Sequence, residues 1–147
     1  MGNKEQKRQP HILITDDEQN MLESLEFILE AADYRVTRAQ NGLQAFDIIR
    51  SLLHSDHPIS LLITDIRMPL LSGTKLMERL NDEQIVVPTI VITEYESQRL
   101  KKQIQGRNER LFISKPFTER QLMDQIKEML AEKKKINNEF ASKLAVW

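Results

Sequence analysis

Apolar and polar positions alternate along the chain in two patterns, one typical of strands and one typical of helices. Short apolar or β-branched runs predict strands buried in a sheet, whereas apolar residues three or four positions apart predict one buried helix face. The predicted strands span residues 11–15, 34–39, 59–65, 86–93 and 110–114. Helical spacing follows each strand, but it is weakest after the fourth, where Leu100 and Ile104 are the main apolar positions.

The regular alternation of strand and helix predicts an α/β fold. Five such units predict a doubly wound five-stranded parallel sheet flanked by helices, with right-handed crossover connections. The last helix is expected to begin at Thr118, because Gln121 three residues later completes a capping box. The apolar face of this helix comprises Leu122, Ile126, Met129 and Leu130.

The strand and helix units end near residue 130, so the chain divides into three predicted parts. They are a polar tail (1–10), one domain (11–130) and an extension (131–147). In the extension, Ile136, Phe140 and Leu144 continue the helical spacing, although two adjacent asparagines weaken it. We interpret this part either as a solvated tail or as an amphipathic helix that packs on a partner or a second copy.

Length and composition limit the class of protein. A chain of 147 residues suits one domain with its own core. Its 21 basic and 22 acidic side chains give a net charge of -1, and no basic patch or helix-turn-helix pattern predicts direct nucleic-acid binding. The lack of cysteine excludes disulfides, thiolate catalysis and cysteine-bound zinc. No membrane span or secretory signal is recognisable, so a cytoplasmic protein is expected.

Polar residues follow or end four of the five predicted strands. They are Asp16 and Asp17 after the first, Asp65 at the end of the third, Thr93 at the end of the fourth and Lys115 after the fifth. The carboxyl ends of parallel strands meet at one edge, where open α/β sheets bind ligands, so these side chains should converge. Three neighbouring carboxylates repel one another unless a cation lies between them, and oxygen ligands suit Mg²⁺.

Each of these residues also has an ordinary structural interpretation. The aspartates at 16 and 17 could cap the first helix and complement its dipole, and Asp65 could stabilise a turn. Thr93 suits a strand because it is β-branched, and a lysine before Pro116 would usually be exposed. These separate interpretations do not explain why four strand ends carry such residues.

Four motifs in order carry a resemblance to a known family. They are HILITDDE, LLITDIRMP followed by SG, VPTIVIT, and LFISKPF. This set resembles the receiver domain of bacterial two-component response regulators over about residues 10–130. The resemblance implies the flavodoxin-like (βα)5 fold and a phosphorylation-dependent signalling switch rather than a dedicated enzyme.

The resemblance also implies roles for the acidic residues. Asp65 would accept a phosphoryl group from the phosphohistidine of a sensor histidine kinase or phosphotransfer protein. Asp16, Asp17 and Asp65 would hold Mg²⁺ together with the backbone carbonyl of Arg67. The domain would thereby catalyse its own magnesium-dependent phosphorylation and dephosphorylation.

Further residues would bind the phosphoryl group or change conformation in response to it. The Thr93 hydroxyl and the Lys115 ammonium would bind its oxygens, and Phe112 would turn inward as Thr93 moves. The Lys115–Pro116 peptide is usually cis in this family, which makes Pro116 structural. The face formed by the fourth helix, fifth strand and fifth helix would then contact a downstream protein, an output domain or a second copy of the chain.

Two positions depart from the family pattern. Glu94 follows the switch threonine, where a small residue is usual, and its carboxylate should be unfavourable beside an acidic phosphoryl site. We hypothesise that Arg67 pairs with Glu94 across the mouth of the site and slows access. Phe112 replaces a tyrosine, which removes a hydroxyl but leaves the rotation open.

Three alternatives to this function remain. A haloacid-dehalogenase-type phosphatase would require a second acid two residues after the nucleophile, where this chain has Arg67. A flavodoxin-like cofactor binder would require a phosphate-binding loop after residues 11–15, and none follows. The third is a receiver-like interaction module that is not phosphorylated, and Glu94 is its main support.

The chain is either a stand-alone regulator or the first part of a longer protein.

Overall fold

Five parallel strands and four helices make up the part of the chain that the computed structural model describes, residues 9–94, 102 and 110–131. The strands are β1 (His11–Thr15), β2 (Arg35–Ala39), β3 (Leu61–Thr64), β4 (Thr89–Thr93) and β5 (Arg110–Ser114). The helices are α1 (Gln19–Ala31), α2 (Gly42–Leu52), α3 (Gly73–Asp82) and α4 (residues 119–131).

The strands form one sheet in the order β2-β1-β3-β4-β5, with every neighbouring pair parallel. The chain starts near the middle, crosses to β2 on one side and then proceeds through β3, β4 and β5 on the other. This reversal confirms the predicted doubly wound fold. It also opens a crevice beyond the carboxyl ends of β1 and β3, where connections leave in opposite directions.

Three strands are shorter than their sequence pattern predicts, β2 by a single residue and β3 and β4 by three residues each. β4 begins at Thr89 rather than at residue 86, and Val86 is 74% exposed. Pro88 has no N–H to donate to the sheet, although its carbonyl accepts a hydrogen bond from the Leu62 amide at 2.9 Å. β3 covers Leu61–Thr64, so Asp65 is the first residue beyond the strand rather than its last.

Side chains cap three of the helices. Asn41 and Ser72 accept hydrogen bonds from the backbone amides three positions later, at the starts of α2 and α3. The capping box predicted at the start of α4 is confirmed. The Gln121 amide donates to Thr118 Oγ1 at 3.1 Å, and the Thr118 amide donates to Gln121 Oε1 at 2.8 Å.

The start of α1 differs from these three. Its N-cap is Glu18, whose side chain makes no capping hydrogen bond. The alternative in which Asp16 or Asp17 caps α1 is therefore wrong. The Asp16 carboxylate instead accepts a hydrogen bond from the Glu18 amide, ahead of the helix, and its other oxygen is used elsewhere.

Apolar side chains cover both faces of the sheet. Alternate residues of a strand point to opposite faces, so Ile12 and Ile14 pack towards α1 and α4 while Leu13 packs towards α2 and α3. Each fully buried Leu or Ile side chain contributes roughly 1.5–3 kcal/mol of transfer free energy. Both faces of the sheet are therefore occupied by the core, and the carboxyl ends of the strands remain available to carry polar side chains.

Some predictions lie outside the described residues. They are the helix between the fourth and fifth strands apart from residue 102, most of the N-terminal tail, and residues 132–147 with the proposed helical extension. Among the helices that the structure describes, none combines the length and apolarity that crossing a bilayer requires.

Candidate functional site

One lysine and two aspartates meet at the carboxyl edge of the sheet. Lys115 Nζ donates a hydrogen bond to Asp65 Oδ2 at 3.0 Å and lies 3.4 Å from Asp16 Oδ2. The side chains of Lys115, Asp16 and Asp65 are 9%, 5% and 14% exposed. The strand ends of β1, β3 and β5 thus bring together three of the five residues that the sequence pattern singles out.

Asp65 is held by backbone groups as well as by the lysine. Its amide donates to the Thr15 carbonyl at 3.1 Å, which ties it to β1 just beyond the strand. Its Oδ1 accepts hydrogen bonds from the Ile66 amide at 2.6 Å and the Arg67 amide at 3.3 Å. One carboxylate oxygen is therefore fixed by the following peptides, while the other faces Lys115.

Asp16 is the more deeply buried of the two carboxylates. Burial raises its pKa above the ordinary value, and the charge of Asp65 acts in the same direction. The hydrogen bond from the Glu18 amide and the charge of Lys115 oppose this shift. The Glu18 amide and Lys115 together therefore reduce the cost of keeping Asp16 ionised.

Lys115 is placed by the end of β5. Its amide donates to the Thr93 carbonyl at 3.0 Å, and its peptide bond to Pro116 is cis, as the resemblance implies. Burial lowers the pKa of Lys115, but the hydrogen bond to Asp65 and the charges of both aspartates outweigh it and raise the pKa above the ordinary value. The side chain is therefore a cation at neutral pH, and it balances one of the two carboxylate charges.

The other predicted residues differ in their exposure. Thr93 is 1% exposed at the end of β4, while Asp17, Arg67 and Glu94 are exposed. Phe112 is half-buried and packs against the small apolar cluster of Met77 and Val91. The roles that the resemblance implies for Asp17, Thr93 and Phe112, and the pairing hypothesised for Arg67 and Glu94, remain predictions.

The carboxylates of Asp16 and Asp65 supply part of a cation site. Oxygen atoms of Asp16 and Asp65 already share one positive group, the ammonium of Lys115, and carboxylate oxygens suit a hard ion such as Mg²⁺. Within the described ranges, however, no group of three Asp, Glu, His or Cys side chains could by itself hold a metal ion. The donor set therefore fits an ion that completes its coordination with backbone carbonyls and water.

Gly73 is a site residue that the sequence pattern does not assign. A Cβ atom at this position would lie 2.2 Å from the backbone carbonyl oxygen of Asp65. The Gly73 amide also donates to the Ile66 carbonyl at 2.9 Å. The first turn of α3 therefore rests directly on the peptide that follows Asp65. Its sequence signals were its place in the SG that follows LLITDIRMP and its position at the start of a predicted helix.

We expect Gly73→Ala to destabilise the protein by about 1–3 kcal/mol, because the added methyl group must displace backbone rather than a flexible side chain. It should also slow any reaction at Asp65. Gly42→Ala is the matched control, since its Cβ would lie 2.3 Å from the Leu71 carbonyl oxygen, at the start of α2. Urea unfolding should show losses in both variants. Equal reaction rates in the two variants, at equal stability, would contradict a specific effect on Asp65.

Comparison with known proteins identifies the family. The family model described as "Response regulator receiver domain" matches residues 12–127, most of the chain. The chain belongs to this family. The receiver domain resemblance carried by the four motifs is therefore confirmed, together with the fold that it implied.

Individual relatives agree with this assignment. The response regulator GtcR of Aneurinibacillus migulanus is 40% identical over 106 residues, which cover 72% of this chain and 41% of GtcR. The response regulator receiver protein CpdR of Brucella abortus is 32% identical over 119 residues, covering 81% of this chain and 95% of CpdR. The crystal structure of a CheY-like receiver domain protein from Methanospirillum hungatei has a TM-score of 0.73 and 29% identity, covering 86% and 98% of the two chains.

The receiver domain spans less than half the length of some of these relatives. It covers 41% of GtcR and 49% of the probable transcriptional regulator ycf27 of Cyanidium caldarium, which is 34% identical over 128 residues. In contrast, it covers nearly all of CpdR.

Proposed function

We propose that this receiver domain is a phosphorylation-dependent switch in which Asp65 accepts a phosphoryl group from a phosphohistidine. The observation that carries the proposal is the hydrogen bond from Lys115 to Asp65 Oδ2, in a crevice where Asp65 is more exposed than Asp16. Lys115 holds the nucleophilic Asp65 carboxylate at the sheet edge and places its own positive charge beside it, as phosphoryl transfer requires.

The chain's own residues suit the transfer step. An Asp65 carboxylate oxygen would attack phosphorus as the bond from phosphorus to the histidine nitrogen breaks, giving an acyl phosphate and releasing the histidine ring. The ammonium of Lys115, which lies between two carboxylates, would then stabilise the negative phosphoryl oxygens. The hydroxyl of Thr93, at the end of β4, would donate a hydrogen bond to another of these oxygens.

We also propose a Mg²⁺ site in which Asp16, Asp65 and the backbone carbonyl of Arg67 would hold the ion. Asp17, which is exposed and does not group with the other two aspartates in the described residues, would have to turn inward to join them. When bound, the ion would neutralise charge on the phosphoryl group and help to orient it. Asp16 is suited to this role because the Glu18 amide fixes one of its oxygens and leaves the other directed at the crevice.

Signalling would follow from a shift between two conformations. The phosphoryl group can favour one state only by interacting with it more strongly than with the other. Movement of Thr93 would draw Phe112 inward, and this rotation requires the cluster around Met77 and Val91 to repack. A downstream protein, an output domain or a second copy would recognise the altered face. The chain would act in the cytoplasm, where a sensor histidine kinase or a phosphotransfer protein would supply the phosphoryl group.

Intact-protein mass spectrometry after incubation with acetyl phosphate tests the proposal. We expect one phosphoryl adduct that forms with Mg²⁺ and is lost when EDTA is added before the donor. A response regulator of known activity serves as the positive control. A folded protein that forms no adduct, with either acetyl phosphate or a panel of phosphorylated histidine kinases, would contradict the proposal.

One observation favours the alternative of an unphosphorylated interaction module. Glu94 is exposed and directly follows buried Thr93, so its negative charge lies near the path of an anionic donor. In our proposal Glu94, paired with Arg67, slows access without preventing reaction.

We therefore expect Glu94→Ala to accelerate phosphorylation by acetyl phosphate about threefold, the effect of a surface charge interaction of somewhat less than 1 kcal/mol. Glu30→Ala is the control, because Glu30 is an exposed acid near the opposite end of α1. An unchanged rate in Glu94→Ala, measured at low ionic strength, would exclude the access hypothesis. The same acceleration in both variants would assign the effect to net charge.

A further inference from the structure

A single peptide group links Thr64 to the carboxylate of Asp65. Thr64 Oγ1 donates a hydrogen bond to the Asp65 carbonyl oxygen at 2.9 Å. The amide of the same peptide group, the Ile66 N–H, donates to Asp65 Oδ1 at 2.6 Å. Because a peptide group is planar, its carbonyl and its N–H turn together. A side chain that holds the carbonyl therefore also sets the direction of the N–H.

The position of this carbonyl is confined from two sides. Thr64 is completely buried as the last residue of β3, and its hydroxyl lies 4.0 Å from the sulfur of Met68, a much weaker acceptor than the carbonyl. On the other side, the Asp65 carbonyl oxygen occupies the space that a Cβ atom of Gly73 would need. The Thr64 hydroxyl thus donates to an Asp65 carbonyl oxygen that Gly73 confines on the other side.

The direction of the Ile66 N–H decides how the Asp65 carboxylate is rotated. With Oδ1 held by this amide, Oδ2 is directed at the ammonium of Lys115. If the peptide tilted, the carboxylate would turn with it and the second oxygen would move away from the lysine. Small errors of this kind are costly, because group transfer depends on the alignment of the attacking oxygen.

We propose that Thr64 is a positioning residue for phosphorylation of Asp65, acting through the Asp65–Ile66 peptide. This inference rests on the proposed function of Asp65 as phosphoryl acceptor. The Thr64 hydroxyl does not contact the phosphoryl group. It keeps the nucleophilic carboxylate in the rotation that pairs one oxygen with the backbone and presents the other to Lys115.

Substitution by valine removes the hydroxyl with little change in shape. In Thr64→Val the Asp65 carbonyl loses the hydrogen bond from the Thr64 hydroxyl, and the peptide is free to tilt. We expect phosphorylation to slow by about threefold to tenfold, the effect of losing one intramolecular hydrogen bond that aligns the nucleophile. Thr64→Ser keeps the hydroxyl and should restore most of the rate.

Thr89 offers a matched control. It is 2% exposed, and its hydroxyl donates to the Val87 carbonyl at 2.9 Å, so it makes the same kind of buried bond to a nearby backbone oxygen. It begins β4 and therefore lies at the edge of the sheet opposite the site. Thr89→Val should lose stability as Thr64→Val does, but its phosphorylation rate should equal that of the wild type.

The experiment compares wild type, Thr64→Val, Thr64→Ser and Thr89→Val. Initial rates of adduct formation are measured by mass spectrometry with acetyl phosphate and saturating Mg²⁺, and urea unfolding confirms that each variant is folded. A slow Thr64→Val with a rescued Thr64→Ser and a normal Thr89→Val would support the proposal. Equal rates in Thr64→Val and wild type would overturn it, as would a serine variant as slow as the valine variant.

A second readout does not depend on phosphorylation. NMR should show faster hydrogen exchange and a shifted resonance for the Ile66 amide in Thr64→Val, and neither change in Thr89→Val. An unchanged Ile66 amide would overturn the positioning role even if phosphorylation were slow. If the wild type formed no adduct, the proposed function of Asp65 would fail, while the Ile66 amide would still decide whether Thr64 orients this peptide.

Discussion

Asp65→Asn should abolish the phosphoryl adduct and leave the protein folded. An amide oxygen is a poor nucleophile, whereas the shape of the side chain is nearly unchanged. The asparagine carbonyl can still accept the hydrogen bonds that the Ile66 and Arg67 amides donate to Oδ1. The asparagine Nδ2 would then take the place of Oδ2 and cannot accept the hydrogen bond from Lys115. Lys115 keeps Asp16 as its other carboxylate partner, so we expect a moderate loss of stability in a protein that stays folded.

The measurement is intact mass after incubation with acetyl phosphate and Mg²⁺, followed by peptide mapping. Asp47→Asn is a suitable control, since Asp47 is an exposed aspartate on α2, away from the strand ends. It should form the same adduct as the wild type. An undiminished adduct in Asp65→Asn would show that another residue is the acceptor, and Asp16 and Asp17 would then be the candidates.

Lys115→Met should be the most destabilising of the substitutions discussed. It removes the cation between two largely buried carboxylates, leaving both without their partner. Breaking a buried ion pair in this way costs about 3–5 kcal/mol at neutral pH. Equilibrium urea unfolding in the presence of EDTA measures this loss without a contribution from bound metal.

Lys75→Met is the matched control for this measurement. Lys75 pairs with Glu78 on α3 at 3.2 Å, but the two side chains are 66% and 58% exposed. An exposed pair of this type contributes less than about 1 kcal/mol, so the control should unfold at nearly the same urea concentration as the wild type. Equal losses in the two lysine variants would contradict the buried network.

The loss in Lys115→Met should depend on pH. Burial raises the pKa of Asp16, so the folded state binds this proton more tightly than the unfolded state, and protonation favours folding. Removing Lys115 raises that pKa further. The difference between wild type and Lys115→Met should therefore be largest near neutral pH and shrink on acidification towards the ordinary carboxyl pKa of 3.8.

At alkaline pH the difference in stability between wild type and Lys115→Met should shrink again, this time as the pH rises. The folded-state pKa of Lys115 lies above its ordinary value of 10.5, because its contacts with the aspartates outweigh its burial. Its contribution to stability is thus present below that value and is lost as the pH rises through the folded-state pKa. The wild type should lose this stability in strong alkali, and the methionine variant should not.

Local patterns were sufficient where the interactions themselves are local. The strands of residues 11–15 and 110–114 match their apolar runs, and the capping box of Thr118 and Gln121 joins residues three positions apart. The limits of β3 and β4 were less predictable, because they depend on which neighbouring backbone groups are paired. At β4 the missing N–H of Pro88 delays the start of the strand.

Some features of the site also follow from local sequence patterns, whereas others do not. Its acidic residues could be singled out because they follow strands whose ends meet in a parallel sheet. Capping of α1 was also a reasonable local interpretation of Asp16, but the carboxylate faces Lys115, which lies 99 positions away in the chain. An ion pair between such distant residues has no local signature.

The sequence by itself determined the alternation of strands and helices, the order of the four motifs and hence membership of the receiver domain family. These features are properties of neighbouring residues, and they persist whatever the exact packing. Only the tertiary structure decided which oxygen of Asp65 faces Lys115, why Gly73 must lack a side chain and how Thr64 holds the peptide after Asp65. Those features depend on atoms that the fold brings within hydrogen-bond or contact distance, and residue type and spacing do not specify such distances.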